Sequence, residues 1–325
     1  MVLIKEREFN KTIGFFGLLM LGVGATVGAG IFVLLGEATA LTGPSVVIAF
    51  IINFIIAIVI ATHYAEMAAL SPVEGGGYSF IEEAFGSSAY YIGWLIWLGN
   101  IAYAGFCSVA FALYVTNGTS ISSVLVAIAT LAIFSVVNLT GIRSVIEIEK
   151  LLTVVLIVIL CVFTVRGASF FDPSNFSNIF PNGEMALLPA TSLVFLCYVG
   201  FETITTISAE VKNPTRNIPK ALIWSVIISG ALYISFSLVF AGAVDHSAIT
   251  NPDTALLQFF RTDIMRLALF AAALFAILSS LNIGLMAASR NAYALARDGF
   301  LPNMFSKLSK NDSPVYAIVL SSVVA

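Results

Sequence analysis

The sequence predicts an all-α polytopic membrane protein, with helices interrupted at membrane depth. Three observations predict it. The chain is 59% apolar and 10% charged, against about 25% charged residues in soluble domains. Apolar runs of about 20 residues, the length that crosses a bilayer, recur along it. Its basic residues fall almost entirely on one side of those runs. The net charge of −3 gives no reason to expect a nucleic-acid partner.

Eight complete runs lie at roughly 13–35, 46–68, 89–115, 121–139, 147–166, 186–206, 218–242 and 265–290, and a ninth begins near Pro314. The first is too long for a signal-peptide core, and spans follow it throughout. With a cytoplasmic N-terminus, twelve of the 15 Lys and Arg residues lie inside, and Arg166, Arg261 and Arg266 lie outside. The expected location is therefore the plasma membrane, multi-pass, N-terminus in the cytoplasm. The expected organisation is a single transport domain over 1–325, with spans one to five at about 13–166 and the remainder at about 186–325. The ninth run stops about twelve residues in, at Ala325, so a fragment truncated within span nine is expected.

Span one contains "GVGATVGAGIF", with Gly22, Gly24, Gly28 and Gly30. Glycine weakens a helix and permits close backbone approach. Gly24-x-x-x-Gly28 also reads as a close-packing face between helices. After span two, "SPVEGGGYSFIEEAFG" predicts a sharp turn at its glycines and a short membrane-surface helix. Span three carries Asn100, a substrate contact or an interhelical hydrogen bond. "NGTS" at Asn117 matches a glycosylation sequon. Span six contains "CYVGFETITT", Cys197–Thr206, with Gly200 and the carboxylate of Glu202 at membrane depth. Such a carboxylate normally faces a cavity or a partner, here as a gate, a proton acceptor, a group facing an ammonium, or a structural acceptor for unwound backbone. Span eight carries Ser279, Ser280 and Asn282, a backbone-bonding cluster or an ion site of hydroxyl oxygens. The cysteines, Cys107, Cys161 and Cys197, lie in apolar runs without metal or redox spacing, and the two histidines are far apart.

The two abnormal spans are five helices apart and start from opposite sides, which predicts a five-plus-five inverted repeat with discontinuous spans one and six. Breaking a helix exposes N–H groups at one new end and carbonyls at the other, each carrying roughly half an elementary charge. The N–H end at Gly28–Gly30 suits a carboxylate. The carbonyls of both breaks suit an ammonium. An amino-acid zwitterion carries both groups. No cofactor is expected, and an enzyme is excluded because only Glu202 and scattered hydroxyls are at hand where catalysis needs a nucleophile–base or metal constellation. A permease-like sensor remains as the alternative.

Four segments, "GATVGAGIFVLLGEA", "YAEMAALSPVEGGGYSFIEEAFG", "YVGFETITTISAEVKNPTRNIPKAL" and "AASRNAYALARDGFLP", resemble in order the permeases of the amino acid–polyamine–organocation family, with a prokaryotic and cationic-type flavour. That resemblance implies an inverted-repeat fold, usually of twelve spans, that moves an L-amino acid by alternating access. It implies amides of Ala29 and Gly30 on the substrate carboxylate, with Gly28 shaping the turn. Carbonyls of Ala25, Thr26, Cys197, Tyr198 and Gly200 would surround the amino group, Phe201 would be an aromatic lid, Glu202 an acidic gate and Asn100 a substrate contact. Some proton-coupled members carry a lysine in span five. Leu156 stands at that position here, with Lys150 the nearest lysine. The remaining coupling modes are Na+ at Gly24, Val27, Ser279 and Ser280, H+ through Glu202, or uncoupled exchange.

Overall fold

Without water to satisfy peptide groups, a lipid-embedded chain satisfies them internally, and helix is the local way to do so. The computed structural model describes residues 9–28, 30–117, 119–249, 256 and 263–325. Ala29 of the expected carboxylate cradle, and Lys5, Arg7 and Arg261 of the charge pattern, lie outside the described residues.

Span one is α1 (Phe15–Thr26) followed by α2 (Gly30–Thr42), and a 3-10 turn at Gly43–Ser45 leads directly into α3 (Val46–Leu70). The helix α4 (Gly77–Phe85) follows the glycine turn, as expected for that loop. Then come α5 (Tyr90–Thr116), α6 (Ser123–Thr140) and α7 (Ile142–Gly167). Span six is α8 (Leu187–Phe195), a 3-10 turn at Leu196–Tyr198 and a 3-10 segment over Phe201–Glu210. The chain continues through α9 (Pro214–Ala243), α10 (Asp263–Arg297) and α11 (Val315–Val324).

Among the described residues, seven helical stretches are long and apolar enough to cross a membrane. The first of them, Phe15–Leu70, has 56 residues and holds spans one and two together. Two expected runs merge there because the turn at Gly43–Ser45 is itself helical.

The packing puts the broken spans at the centre. The helix α1 lies against α7 and α9, α3 runs along α9, and α10 runs along α5. Large apolar side chains such as Leu125, Ile128, Ile133, Val165 and Leu267 are exposed at the periphery, as a lipid-facing surface requires. Gly22 and Gly24 remain helical within α1 and serve packing. A Cβ on Gly22 would lie 2.5 Å from Ile204 and 2.8 Å from Ser225, and one on Gly24 would run into Glu149 and Thr153. The glycine-rich motif therefore divides its labour, with close packing at Gly22 and Gly24 and the break at Val27–Gly28.

At the N-terminal end of the bundle, the chain before α1 is tied to the end of span six. Ile13 pairs with Val211 in an isolated parallel bridge. The amides of Thr12 and Ile13 donate to the Glu210 carbonyl at 2.9 and 3.0 Å, and the Lys212 amide donates to Ile13 at 2.8 Å. Beneath them the fully buried Arg290 pairs with Glu210 at 3.1 Å. Arg297 lies 3.5 Å from Glu74 of the glycine turn.

Candidate substrate site

The two breaks meet. The helix α1 ends at Thr26, where Val27 leaves helical geometry (φ −81°, ψ 64°). The Gly28 amide turns back onto the Thr26 carbonyl at 2.9 Å, and α2 begins at Gly30. In span six, Val199 is extended (φ −76°, ψ 142°) and Gly200 takes φ +128°. That conformation is open to glycine and rarely to other residues. A Cβ on Gly200 would collide with the Ala25 carbonyl, so the second break rests on the first.

A cavity of about 610 Å³ opens beside this contact. Its wall takes Ala25, Thr26, Gly28 and Gly30 from span one and Cys197, Gly200 and Glu202 from span six. Asn100 of α5 and Ser280 of α10 join them. The first turn of α2 leaves backbone N–H groups without helical acceptors. Its N-terminal residue, Gly30, is on the wall. Cys197 Sγ lies 3.3 Å from where a Cβ on Gly30 would stand, so a side chain here would press on Cys197.

Not every expected residue faces this cavity. Tyr198 is buried, and its hydroxyl donates to the Phe50 carbonyl at 3.0 Å. Phe201 is also buried and meets Tyr64 edge-on at 6.4 Å. Both side chains line a separate cavity of about 170 Å³ beside α3. Glu202 is on the wall of both cavities, and its Oε2 accepts the Gly200 N–H at 2.9 Å. Asn100 Nδ2 donates to the Ile96 carbonyl within its own helix at 2.9 Å.

The expected sodium residues divide between two places. Ser280 is on the cavity wall, and its Oγ would lie 2.9 Å from a Cβ on Gly28. Ser279 points away from the cavity, its Oγ 3.2 Å from the Gly24 carbonyl. Gly24 and Val27 are buried.

Three groups escaped the sequence reading. Tyr233 of α9 is fully buried, and its hydroxyl reaches the Thr26 carbonyl at 2.7 Å and the Cys197 carbonyl at 3.1 Å. One side chain thus ties the two breaks. Nothing in "SGALYISF" distinguishes it from a core tyrosine. Tyr103 lines the cavity, with its ring 3.2 Å from where a Cβ on Gly284 would stand.

Glu149 of α7 is the third. It is fully buried. Ser279 Oγ lies 2.5 Å and Thr153 Oγ1 3.0 Å from its Oε1, and Asn282 Nδ2 donates to its Oε2 at 3.0 Å. Among the described residues no cationic side chain pairs with it, and the neighbouring Lys150 binds Glu147 at 2.6 Å on the outer face. The helix starts at Ile142, so Glu149 sits two turns inside, on a buried face shared with Thr153, Leu156 and Leu160. That periodicity was the available signal.

The sequence profile of a family described as amino acid permease matches residues 13–325. The chain belongs to the amino acid permease family. It is a transporter-family protein and not an enzyme. This permease is 28% identical to a methylthioribose transporter of Bacillus subtilis, over 99% of this chain and 75% of that one. It is 26% identical to the branched-chain amino acid permease BcaP of the same organism, over 96% and 73%. It is 30% identical to the chloroplastic cationic amino acid transporter 9 of Arabidopsis thaliana, over 92% of this permease and 57% of that protein. Its fold is shared with MhsT solved in complex with L-phenylalanine, at a TM-score of 0.68 and 15% identity over 98% of this chain and 78% of that one. A Na+-coupled sialic acid symporter in a substrate-bound outward-open state gives a TM-score of 0.69 at 13% identity, over 97% and 72%.

Proposed function

We propose that this permease carries an L-amino acid across the plasma membrane by alternating access, binding the zwitterion where the breaks of spans one and six meet. The meeting of those breaks on one cavity wall is the observation that carries this reading. The N–H end of α2 at Gly30 takes the carboxylate, and carbonyls at the end of α1 and around Gly200 take the ammonium. Fixed peptide dipoles aimed into a cavity need no reorganisation when the ligand arrives. The permease family and the amino-acid relatives support the substrate class, and MhsT solved with L-phenylalanine supports the use of this fold for such a ligand.

The ties at the N-terminal end support alternating access, as contacts that an inward opening would have to break. With the N-terminus cytoplasmic, Arg290–Glu210 and the strand-like contact at Ile13–Val211 tie the inner side while the cavity extends away from them. Spans one to five and the spans from residue 186 onward then act as the two halves of one inverted-repeat domain.

Coupling to sodium fits the cluster around Glu149. Four close oxygen contacts there, Thr153–Met20 O, Thr153–Glu149, Ser279–Gly24 O and Ser279–Glu149, share only two hydroxyl hydrogens. A small hard cation among oxygen ligands removes such a deficit. Glu149, Ser279, Thr153 and the Gly24 carbonyl would hold it, and its charge would neutralise a buried carboxylate. The purified chain is therefore expected to unfold at higher temperature in sodium chloride than in choline chloride of equal ionic strength, by linkage to the folded state. Glu149→Gln abolishes that difference, and a difference that survives in the variant rejects Glu149 as a ligand.

The transport reading is tested in proteoliposomes with radiolabelled amino acids under sodium, proton or no gradient, with methylthioribose as a further competitor. Absence of uptake and of exchange for every amino acid under all three conditions rejects it. Binding without movement supports the sensor alternative.

A further inference from the structure

We propose that the amino acid carried by this permease has a bulky, uncharged, apolar side chain, branched aliphatic or aromatic, and that the wall formed by α5 and α10 excludes cationic amino acids. The inference rests on the transport reading above and names the substrate class of the same site.

The argument begins with direction. The charged ends of the zwitterion are held at the breaks, so the side chain occupies the part of the cavity walled by α5 and α10. These helices run antiparallel along it. Tyr103 lies beside Gly284, and toward the other end Tyr114 meets Phe270 with ring centroids 5.9 Å apart. From Tyr103 to Tyr114 the wall of α5 is about 16 Å long at the helical rise of 1.5 Å per residue. The cavity is thus far longer than the zwitterion's head.

Next comes its chemistry. Beyond Tyr103, α5 offers Phe106, Cys107 and Ala110 to the cavity, and α10 offers Ala273 and Ile277. None carries a formal charge. Among the described residues the wall contains no Lys, Arg, His or Asp, and the one carboxylate among them is Glu202. Glu202 belongs to the break itself, where it accepts the Gly200 N–H, so it lies at the head-group end. A lysine or arginine side chain extending along α5 would meet apolar surface and no counter-charge among the described residues, and an unpaired charge against such a surface is unfavourable. A branched or aromatic side chain in the same place gains apolar contact. Ala110 and Ala273 are small where larger residues would shorten the cavity, and that leaves room for bulk.

A volume of about 610 Å³ lies within the range of pockets that enclose ligands larger than a single small amino acid. Glycine or alanine would leave most of the apolar wall against water. They are expected to bind more weakly than leucine or phenylalanine.

The test is a competition profile in proteoliposomes containing the full chain, using a panel of labelled leucine, phenylalanine, alanine and lysine. Leucine, isoleucine, phenylalanine and tryptophan are expected to compete at concentrations at least tenfold below those needed for lysine or arginine. Lysine or arginine competing as well as leucine overturns the inference and leaves the transport reading standing. No uptake or binding of any amino acid overturns both. Two variants sharpen the result. Ala273→Trp is expected to raise the KM for phenylalanine at least tenfold while changing that for alanine less than threefold. Ile277→Asp is expected to raise lysine uptake relative to leucine at least tenfold. Equal loss of every substrate in folded Ala273→Trp protein counts against the proposed placement of the side chain. Should either variant fail to fold, the competition profile of the unaltered chain decides the question alone.

Discussion

Replacing Tyr233 with phenylalanine removes one oxygen and tests whether a single hydroxyl holds the two breaks together. The ring keeps its place, packed at 5.8 Å from Phe50 and 5.3 Å from Tyr198, so the change is confined to the hydroxyl. That hydroxyl serves the carbonyls of Thr26 and Cys197, at 2.7 and 3.1 Å, and is out of reach of water. It has one hydrogen, so it satisfies one carbonyl at a time and sits between both. Its loss leaves a buried acceptor unpaired, at about 1–3 kcal/mol. A fall of a few degrees in Tm follows, at about 2–4 °C per kcal/mol for a chain of 150–250 residues and less for a longer one. Loosened breaks also misplace the groups that meet the substrate, and a loss of about 1.4 kcal/mol there weakens binding tenfold. The assay pairs thermal unfolding by tryptophan fluorescence with a substrate binding isotherm on the same preparation. Tyr198→Phe is the control. Its hydroxyl donates to Phe50, away from the span-one break, so it should cost similar stability and leave Kd unchanged. Equal Kd in Tyr233→Phe and the unaltered protein, or equal Kd changes in both variants, would refute the reasoning.

Three further substitutions probe the frame around the site. Gly200→Ala forces a Cβ onto the Ala25 carbonyl at a backbone angle of +128°; strain of about 1–3 kcal/mol and loss of uptake are expected, and normal uptake would show that span one does not rest on Gly200. Arg290→Met leaves Glu210 buried and unpaired, at about 3–5 kcal/mol, whereas Arg290→Met with Glu210→Leu should recover most of the Tm yet leave the inner face easier to open, read as faster labelling of a cysteine introduced near it. Burial pushes the Glu74 carboxyl above its ordinary range, with Arg297 and Arg290 opposing that shift. Its folded state therefore binds a proton more tightly than the unfolded chain, and it contributes stability that is lost as pH rises from the ordinary carboxylate range through the raised value. The Tm of the unaltered protein minus that of Glu74→Gln should fall as pH rises from 4 to 7, and a rise would reverse the sign of the shift.

Much of the fold was legible because membrane spans are written locally. Apolar length, flanking charge and a glycine cluster are properties of contiguous residues. The turn at "GGG" and the helix after it were legible for the same reason. Gly28, Gly30, Gly200 and Glu202 stood out because glycine and charge are rare inside a span. Tyr233, Tyr103 and Glu149 did not stand out. Tyrosine is common in such spans, and Glu149 sits beside Lys150 in a segment that reads as a charged helix end. Only the buried face it shares with Thr153, Leu156 and Leu160 separates it from Glu147.

The sequence by itself determined that this chain crosses a membrane repeatedly and that spans one and six are weakened at depth. The tertiary structure decided what the weak points touch. Gly22 and Gly24 became packing surfaces because Ile204, Ser225 and Glu149 come from other spans to fill the space above them. Gly28 and Gly30 became a cavity wall because Gly200 of span six rests on Ala25. The side chains of Tyr198 and Phe201, adjacent to that break, turned toward α3 and away from the cavity. The physical reason is that a helix break exposes peptide dipoles in a direction fixed by the local chain. Whether a substrate, a tyrosine hydroxyl or a neighbouring helix meets them depends on residues distant in sequence.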